Sequence, residues 1–305
     1  MEDYPRTLLE FEDRFQTEEA CRAYLVQLRW PNGFHCRRCG HGQRWQTGRG
    51  VFVCRGCRAH ISVTAGTIFQ DSHLPLRVSF RAMWWVTNQK SGMTALGLQR
   101  ALELGSYRTA WTCLQKLRRA MIRPGREQLG GEVEVDETFV GGVEKGKGKR
   151  HLGETKALVA VAAEVRGPGI GRIRLQRIPD ASGESLVGFV RETVAPGAVV
   201  ITDGWTAYPG LVRHGYTHRP RIVSRSGQSA SALLPRVHRV AALLKRWLLG
   251  IHQGAVSHQH LHAYLDEFTF RFNRRTSRHR GKLFYRLVQQ VVMIEPVPYP
   301  SLMTP

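Results

Sequence analysis

The sequence predicts an α/β domain, helices packed on a mixed sheet, preceded by a metal-stapled ribbon and a helix-turn-helix-like segment. Three observations carry this. Two C-x-x-C pairs stand near the N-terminus, residues 75–122 have helical periodicity, and beyond residue 131 period-two apolar runs precede further helical ones.

Taken in order, residues 1–30 read as a helical lead-in, with apolar Leu8, Leu9, Phe11, Phe15, Tyr24, Leu25 and Leu28. From Phe34 to Ile68 come the cysteines, many arginines and short β-branched runs such as VFVC. Helices are expected at Leu76–Asn88, Thr94–Leu104 and Tyr107–Met121, the last two separated by Gly105 and Ser106, the punctuation of a helix-turn-helix. MIRPGREQLGG, residues 121–131, reads as a linker. EVEVDETFVGG, KALVAVAAEV and GRIRLQRIPD read as three strands, the second apolar enough to be central. A helix at 183–194, the strand AVVITDGW, a further strand near HRPRIVS, and helices at 235–249, 258–273 and 281–294 complete the pattern. KGKGKR at 145–150 reads as a basic turn and RSGQSAS at 225–231 as a polar loop. The expected domains are therefore 1–72, 73–125 and 131–295.

The charge balance narrows the partners. The 305 residues hold 45 Lys and Arg against 24 Asp and Glu, a net +21. Such a surface attracts polyanions, nucleic acid before anionic membrane. No apolar run approaches the roughly 20 residues of a membrane span, and the opening MEDYPRTLLEFEDRF is acidic, without a signal-peptide stretch. A cytoplasmic protein with no membrane partner is expected. Paired C-x-x-C motifs suit metal binding in a reducing compartment better than disulfides.

Cys36 and Cys39, then Cys54 and Cys57, make two knuckles fourteen residues apart, room for a hairpin. Four thiolates at that spacing predict a structural zinc, with no open coordination position for catalysis. In the third expected helix, Tyr107, Arg108, Gln115, Lys116, Arg118 and Arg119 offer donors for DNA phosphates and base edges, with Trp111, Leu114, Leu117 and Met121 facing inward. Two acids sit where acids are costly: Asp136 interrupts an apolar strand and Asp203 ends one. Aspartates on neighbouring strands can hold two Mg²⁺ ions about 3.5–4 Å apart, the arrangement for phosphoryl transfer.

VDETFVGG, ITDGWTAY and YLDEFTFRFNRR, in that order behind the ribbon and the string ISVTAGTIF, resemble bacterial insertion-sequence transposases of the ISXO-like group over about residues 15–290. The resemblance implies a ribonuclease-H-like catalytic domain with a DDE-type acidic triad, and dependence on Mg²⁺. It further implies double-stranded DNA partners (terminal inverted repeats and target DNA), assembly of more than one copy on paired ends, and a place at the bacterial nucleoid. Asp136 and Asp203 match the first two catalytic positions. Where such enzymes commonly carry Glu, this chain has His238, thirty-four residues intervening after Asp203. Imidazole suits Mn²⁺ better than Mg²⁺. Glu267 is the alternative third residue, and Glu137, on the opposite strand face, a weaker one. Lys245, two turns beyond His238, and Arg274 and Arg275 are expected on DNA phosphates. Two other functions fit the same motifs: a metal-dependent nuclease or resolvase that cuts without joining, and a non-catalytic zinc-ribbon DNA-binding regulator.

Overall fold

A computed structural model describes residues 2–48, 50–141, 156–222, 226–254 and 256–303. The chain forms two compact units, Met1–Pro124 with Ser277–Pro305, and Gly125–Thr276.

In the first unit, α1 (Leu8–Arg14) and α2 (Glu18–Arg29) begin at Thr7 and Thr17, whose hydroxyls accept the Glu10 and Ala20 N–H groups. These side chains satisfy donors that a helix start leaves without partners. A ribbon of three short antiparallel strands follows: β1 (Arg44–Gln46), β2 (Phe52–Cys54) and β3 (His60–Ile61). The ISVTAGTIF segment is anchored to α2, since Arg29 donates to the carbonyls of Ser62, Val63 and Ala65. Then come α3 (Leu76–Asn88), α4 (Ala95–Ala101) and α5 (Tyr107–Arg119), the last capped by Ser106. The helix-turn-helix-like order of α4 and α5 is as expected.

The last long helix, α10 (Gly281–Val291), departs from expectation. It packs on α3 and α2 within this unit, not on the sheet of the second unit as the 131–295 boundary supposed. Its apolar stripe is legible in sequence, but periodicity does not name the surface it meets. Phe284 decides the matter by sitting among Phe11, Phe15, Tyr24, Phe80 and Trp84, with ring centroids 5.3–6.5 Å away. The helix begins so close to the N-terminal segment that a Cβ on Gly281 would lie 1.6 Å from the Pro5 carbonyl oxygen.

The second unit is built on a five-stranded sheet of order β6-β5-β4-β7-β8. The strands are β4 (Glu132–Val140), β5 (Ala157–Arg166), β6 (Gly169–Ile178), β7 (Val199–Thr202) and β8 (Thr217–Pro220). β4, β5 and β6 form an antiparallel meander, while β7 runs parallel to β4 and β8 parallel to β7. β5 is central to the meander and apolar on both faces, hence its unbroken run of buried residues. One face packs on α6 (Gly183–Thr193), the Pro209–His214 3₁₀ turn and Tyr216. The other packs on α8 (Pro235–His252) and α9 (Leu261–Asn273), with the short α7 (Ala230–Leu233) leading into α8. This is a ribonuclease-H-like mixed sheet with flanking helices, and its parallel β4–β7 register sets the C-terminal end of β7 beside the middle of β4. A short helix, α11 (Tyr299–Met303), ends the description. The basic turn expected at 145–150 lies outside the described residues. Only Ser226 onward of the 225–231 loop is described, and its last residues belong to α7. Among the described residues no helix is long and apolar enough to cross a membrane.

Candidate metal and active sites

The ribbon brings its four thiols together as their spacing predicted. Cys36 and Cys57 Sγ are 3.7 Å apart, Cys39 and Cys54 Sγ 3.6 Å, and all four lie within 4.8 Å of one another. A tetrahedral ion with bonds of about 2.3 Å has sulfur–sulfur edges of about 3.8 Å, close to these two separations, so the cluster can hold a metal ion in the manner of a zinc ribbon. The backbone N–H of Cys39 points at the Cys36 sulfur, with that of Arg38 assisting, and the Cys36 thiol is lowered to about 7. Arg44 lies over the Phe52 ring at 3.5 Å and ties the hairpin beside the knuckles.

The acidic site is organised by β4. Its odd-numbered Val133 and Val135 enter the α6-side core, so Glu134 and Asp136 face α8. The β4–β7 register pairs Glu134 with Ile201; carried on two residues, it sets Asp203 beside Asp136. Asp203 closes a tight turn, accepting the Trp205 N–H on Oδ1 at 2.9 Å. Gly204 is required in that turn: its φ is +87°, and a Cβ there would lie 2.8 Å from Ile222 Cγ1. From α8, His238 brings Nε2 to 3.4 Å from Asp136 Oδ2. Burial raises Asp136 to about 6; a backbone hydrogen bond opposes this, and the charges of Asp203 and Glu134 add to it.

Glu137 faces the other way, as alternation requires, and accepts a hydrogen bond from Tyr208 Oη at 3.0 Å. Burial, then the Asp136 charge, raises it to about 7. Tyr208 is fully buried, and burial beside Glu137 raises its phenol. Beneath this layer, Thr202 Oγ1 and His218 Nε2 are 2.9 Å apart.

What holds His238 in place is a residue the sequence reading passed over. Glu134 is fully buried on β4. It accepts the backbone N–H groups of Arg236 (2.7 Å) and Val237 (3.1 Å) and pairs with the Arg236 guanidinium (2.8 Å). Arg236 reaches on to the carbonyls of Gly167 and Gly169 in the β5–β6 turn. Glu134 therefore caps the start of α8, where Pro235 supplies no N–H, and fixes the turn that carries His238. A carboxylate buried in a sheet survives only with such a partner set.

Residues 128–273 match the ISXO2-like transposase domain, and residues 16–60 the transposase zinc-ribbon domain. A transposase zinc ribbon followed by an ISXO2-like transposase domain is what these residues are matched to. It is also 28% identical to a protein in transposable element ISH50 of Halobacterium salinarum, over 84% of this chain and 91% of that one.

The other expected site residues are distributed unevenly. Glu267 lies on α9, against β6, two strands from Asp136; it is 1% exposed and held by Arg271 at 2.8 Å. The structure does not bring it to the aspartates. Arg118 is corrected from its expected place on DNA: it is 2% exposed, and Gln115 beside it is buried too. Arg118 follows Leu114 by four residues, so it falls on the same inward stripe of α5. Arg119 is exposed, whereas Lys116 is half-buried, its Nζ 3.4 Å from the Gln70 carbonyl, and burial lowers its pKa. Arg108 is exposed with its guanidinium over the Tyr299 ring at 4.0 Å. Arg274 and Arg275 stack on Phe270 and Phe272, and Arg275 also donates to the carbonyls of Gly171 and Ile170; both brace the end of α9. Lys245 lines a cavity of about 190 Å³ with Lys156, His258 and Phe139, and burial lowers its pKa, assisted by the Lys156 charge. Among the described residues, the only group of three or more metal-ligating side chains drawn within 4.8 Å is the cysteine set.

Proposed function

We propose that this transposase cleaves DNA strands at the ends of its element and joins them to target DNA, more than one copy acting on paired ends. Asp136 and Asp203 are the metal-holding carboxylates and His238 completes the site. The observation that carries this is the neighbouring placement of the two aspartates, Asp136 in the middle of β4 and Asp203 just past the end of parallel β7, with His238 from α8 at 3.4 Å from Asp136. A pair of divalent cations, when bound there, supplies charge stabilisation to the attacking and leaving oxygens of an in-line displacement. The oxygens of Asp136 and Asp203 neutralise and orient; His238, as a nitrogen donor, favours Mn²⁺ over Mg²⁺. The Glu134–Arg236 clamp holds α8 in register so that His238 needs little reorganisation. The four ribbon thiols hold zinc, and the basic surface holds the DNA backbone.

The experiment is incubation of the full chain with its own flanking inverted repeats and Mg²⁺ or Mn²⁺, with cleaved and joined products resolved separately. Cleaved ends joined to target DNA are expected. Cleavage with no joining under either metal would assign a nuclease instead, and binding with no cleavage a regulator.

A further inference from the structure

Among the described residues of Gly125–Thr276, four large hydrophobic side chains are left exposed: Phe139, Trp205, Val212 and Leu249. Single exposed apolar residues are ordinary on a protein surface. Trp205 is distinguished by how it is held and by what it adjoins. Half of it is exposed, yet both its ends are fixed: its backbone N–H donates to Asp203 Oδ1 at 2.9 Å, and its indole Nε1 donates to the Ala181 carbonyl at 3.2 Å. Gly204 between them holds φ at +87°, so the turn fixes the backbone of Trp205 beside Asp203. A fixed ring presented to solvent loses side-chain freedom without gaining burial, which is sensible for a surface awaiting a flat ligand.

We propose that the Trp205 indole is a stacking platform for one unpaired nucleobase next to the phosphate addressed by Asp136 and Asp203; this rests on the strand-cleavage reading above. Two residues of chain span at most about 7 Å, so Trp205 is within one nucleotide of whatever Asp203 serves. Stacking on a bare π-face is indifferent to base identity, as suits an enzyme that must hold both an end and arbitrary target DNA. A base taken out of the duplex also frees the backbone to approach the two acids.

The test uses the full chain and three variants, Trp205→Ala, Trp205→Phe and Asp136→Asn. Affinity is measured for a single-stranded oligothymidylate of roughly 12 nucleotides and for the matching paired duplex. Cleavage is measured on the chain's own element ends. Trp205→Ala is expected to lose about 10–100-fold in oligothymidylate affinity, with duplex affinity within about two-fold and a parallel fall in cleavage. Trp205→Phe keeps the π-face but loses the bond to Ala181, so it is expected to stay within about three-fold of the parent. A purely structural indole would make Phe and Ala equally poor, and that result overturns the proposal, as does unchanged oligothymidylate affinity in Trp205→Ala. The affinity arm decides stacking without any reaction. If Asp136→Asn cuts at the parental rate, the cleavage reading fails separately; if it is inactive while Trp205→Ala is unaffected in both arms, stacking alone fails.

Discussion

Asp136 and Asp203 are held by different means, one by burial against α8 and the other by the turn it closes, and single substitutions should expose the shared task. Asp136→Asn and Asp203→Asn are expected to lower cleavage by about 10²–10³-fold or more, while binding of element ends stays within a few-fold. End-labelled cleavage and gel-shift titration check this, and near-normal cleavage by either variant in Mg²⁺ or Mn²⁺ refutes the pairing. His238→Ala should lose cleavage and His238→Glu recover part of it, more in Mg²⁺ than in Mn²⁺, because Mg²⁺ prefers oxygen. Glu267→Gln should retain cleavage if folded, since its carboxylate serves Arg271 on α9. The two aspartates were legible in the sequence because acids interrupting apolar strands in a basic chain demand a reason. His238 was legible only through its distance from Asp203. Glu134 was not legible: in EVEVDETF it reads as the polar half of a two-sided strand, and nothing local says that its face is covered by α8. Arg118 misled for the converse reason, a charge on a basic helix that belongs to the buried stripe.

The elements around the site are joined by a few polar ties whose loss should be felt as misplacement. Glu134 is the clearest, because one carboxylate serves two helix N–H groups and a guanidinium. Removing one partner of a buried pair costs about 3–5 kcal/mol. Glu134→Ala is therefore expected to destabilise the Gly125–Thr276 unit by that order, read as a fall in its urea midpoint. Glu134→Gln, which keeps an acceptor, should lose less stability yet still demand more Mn²⁺ for half-maximal cleavage than the parent. An unchanged midpoint in Glu134→Ala would show that the clamp does not hold α8. The sheet itself was largely readable, since β4, β5, β6 and β7 announce themselves by alternation or by an apolar run bounded by turn residues. β8 was legible only as a neighbourhood, being four mostly exposed residues on an edge. The 3₁₀ turn at Pro209–His214 and the four-residue α7 carry too short a pattern for any period to register.

The whole chain is organised less linearly than its motifs. Motif order suggested three successive domains, but the first unit takes its final helix from residues beyond the catalytic sheet. Truncation after Thr276 removes Phe284 from the aromatic cluster it shares with Phe11, Phe15, Tyr24, Phe80 and Trp84. Loss of a buried Phe alone costs about 3–5 kcal/mol, and a whole helix goes with it. The truncated protein is expected to lose the cooperative unfolding of the first unit and to expose its tryptophans, seen as a red-shifted emission and rapid proteolysis before Pro124. Zinc should remain bound, because the thiols close locally within 36–57. An unshifted emission maximum together with protease resistance would mean that α10 adds little to that core.

The discontinuity of the first unit also sets an order of events on the ribosome. Residues Met1–Pro124 emerge first, with four thiols free to take up zinc, but the aromatic cluster lacks Phe284 until the whole of Gly125–Thr276 has been made. At about 5–20 residues per second that delay is roughly ten seconds or more. The catalytic sheet is thus synthesised in full before the N-terminal core can close. Closure of the N-terminal aromatic core therefore waits on α10, and the ribbon can take up zinc before that core is complete.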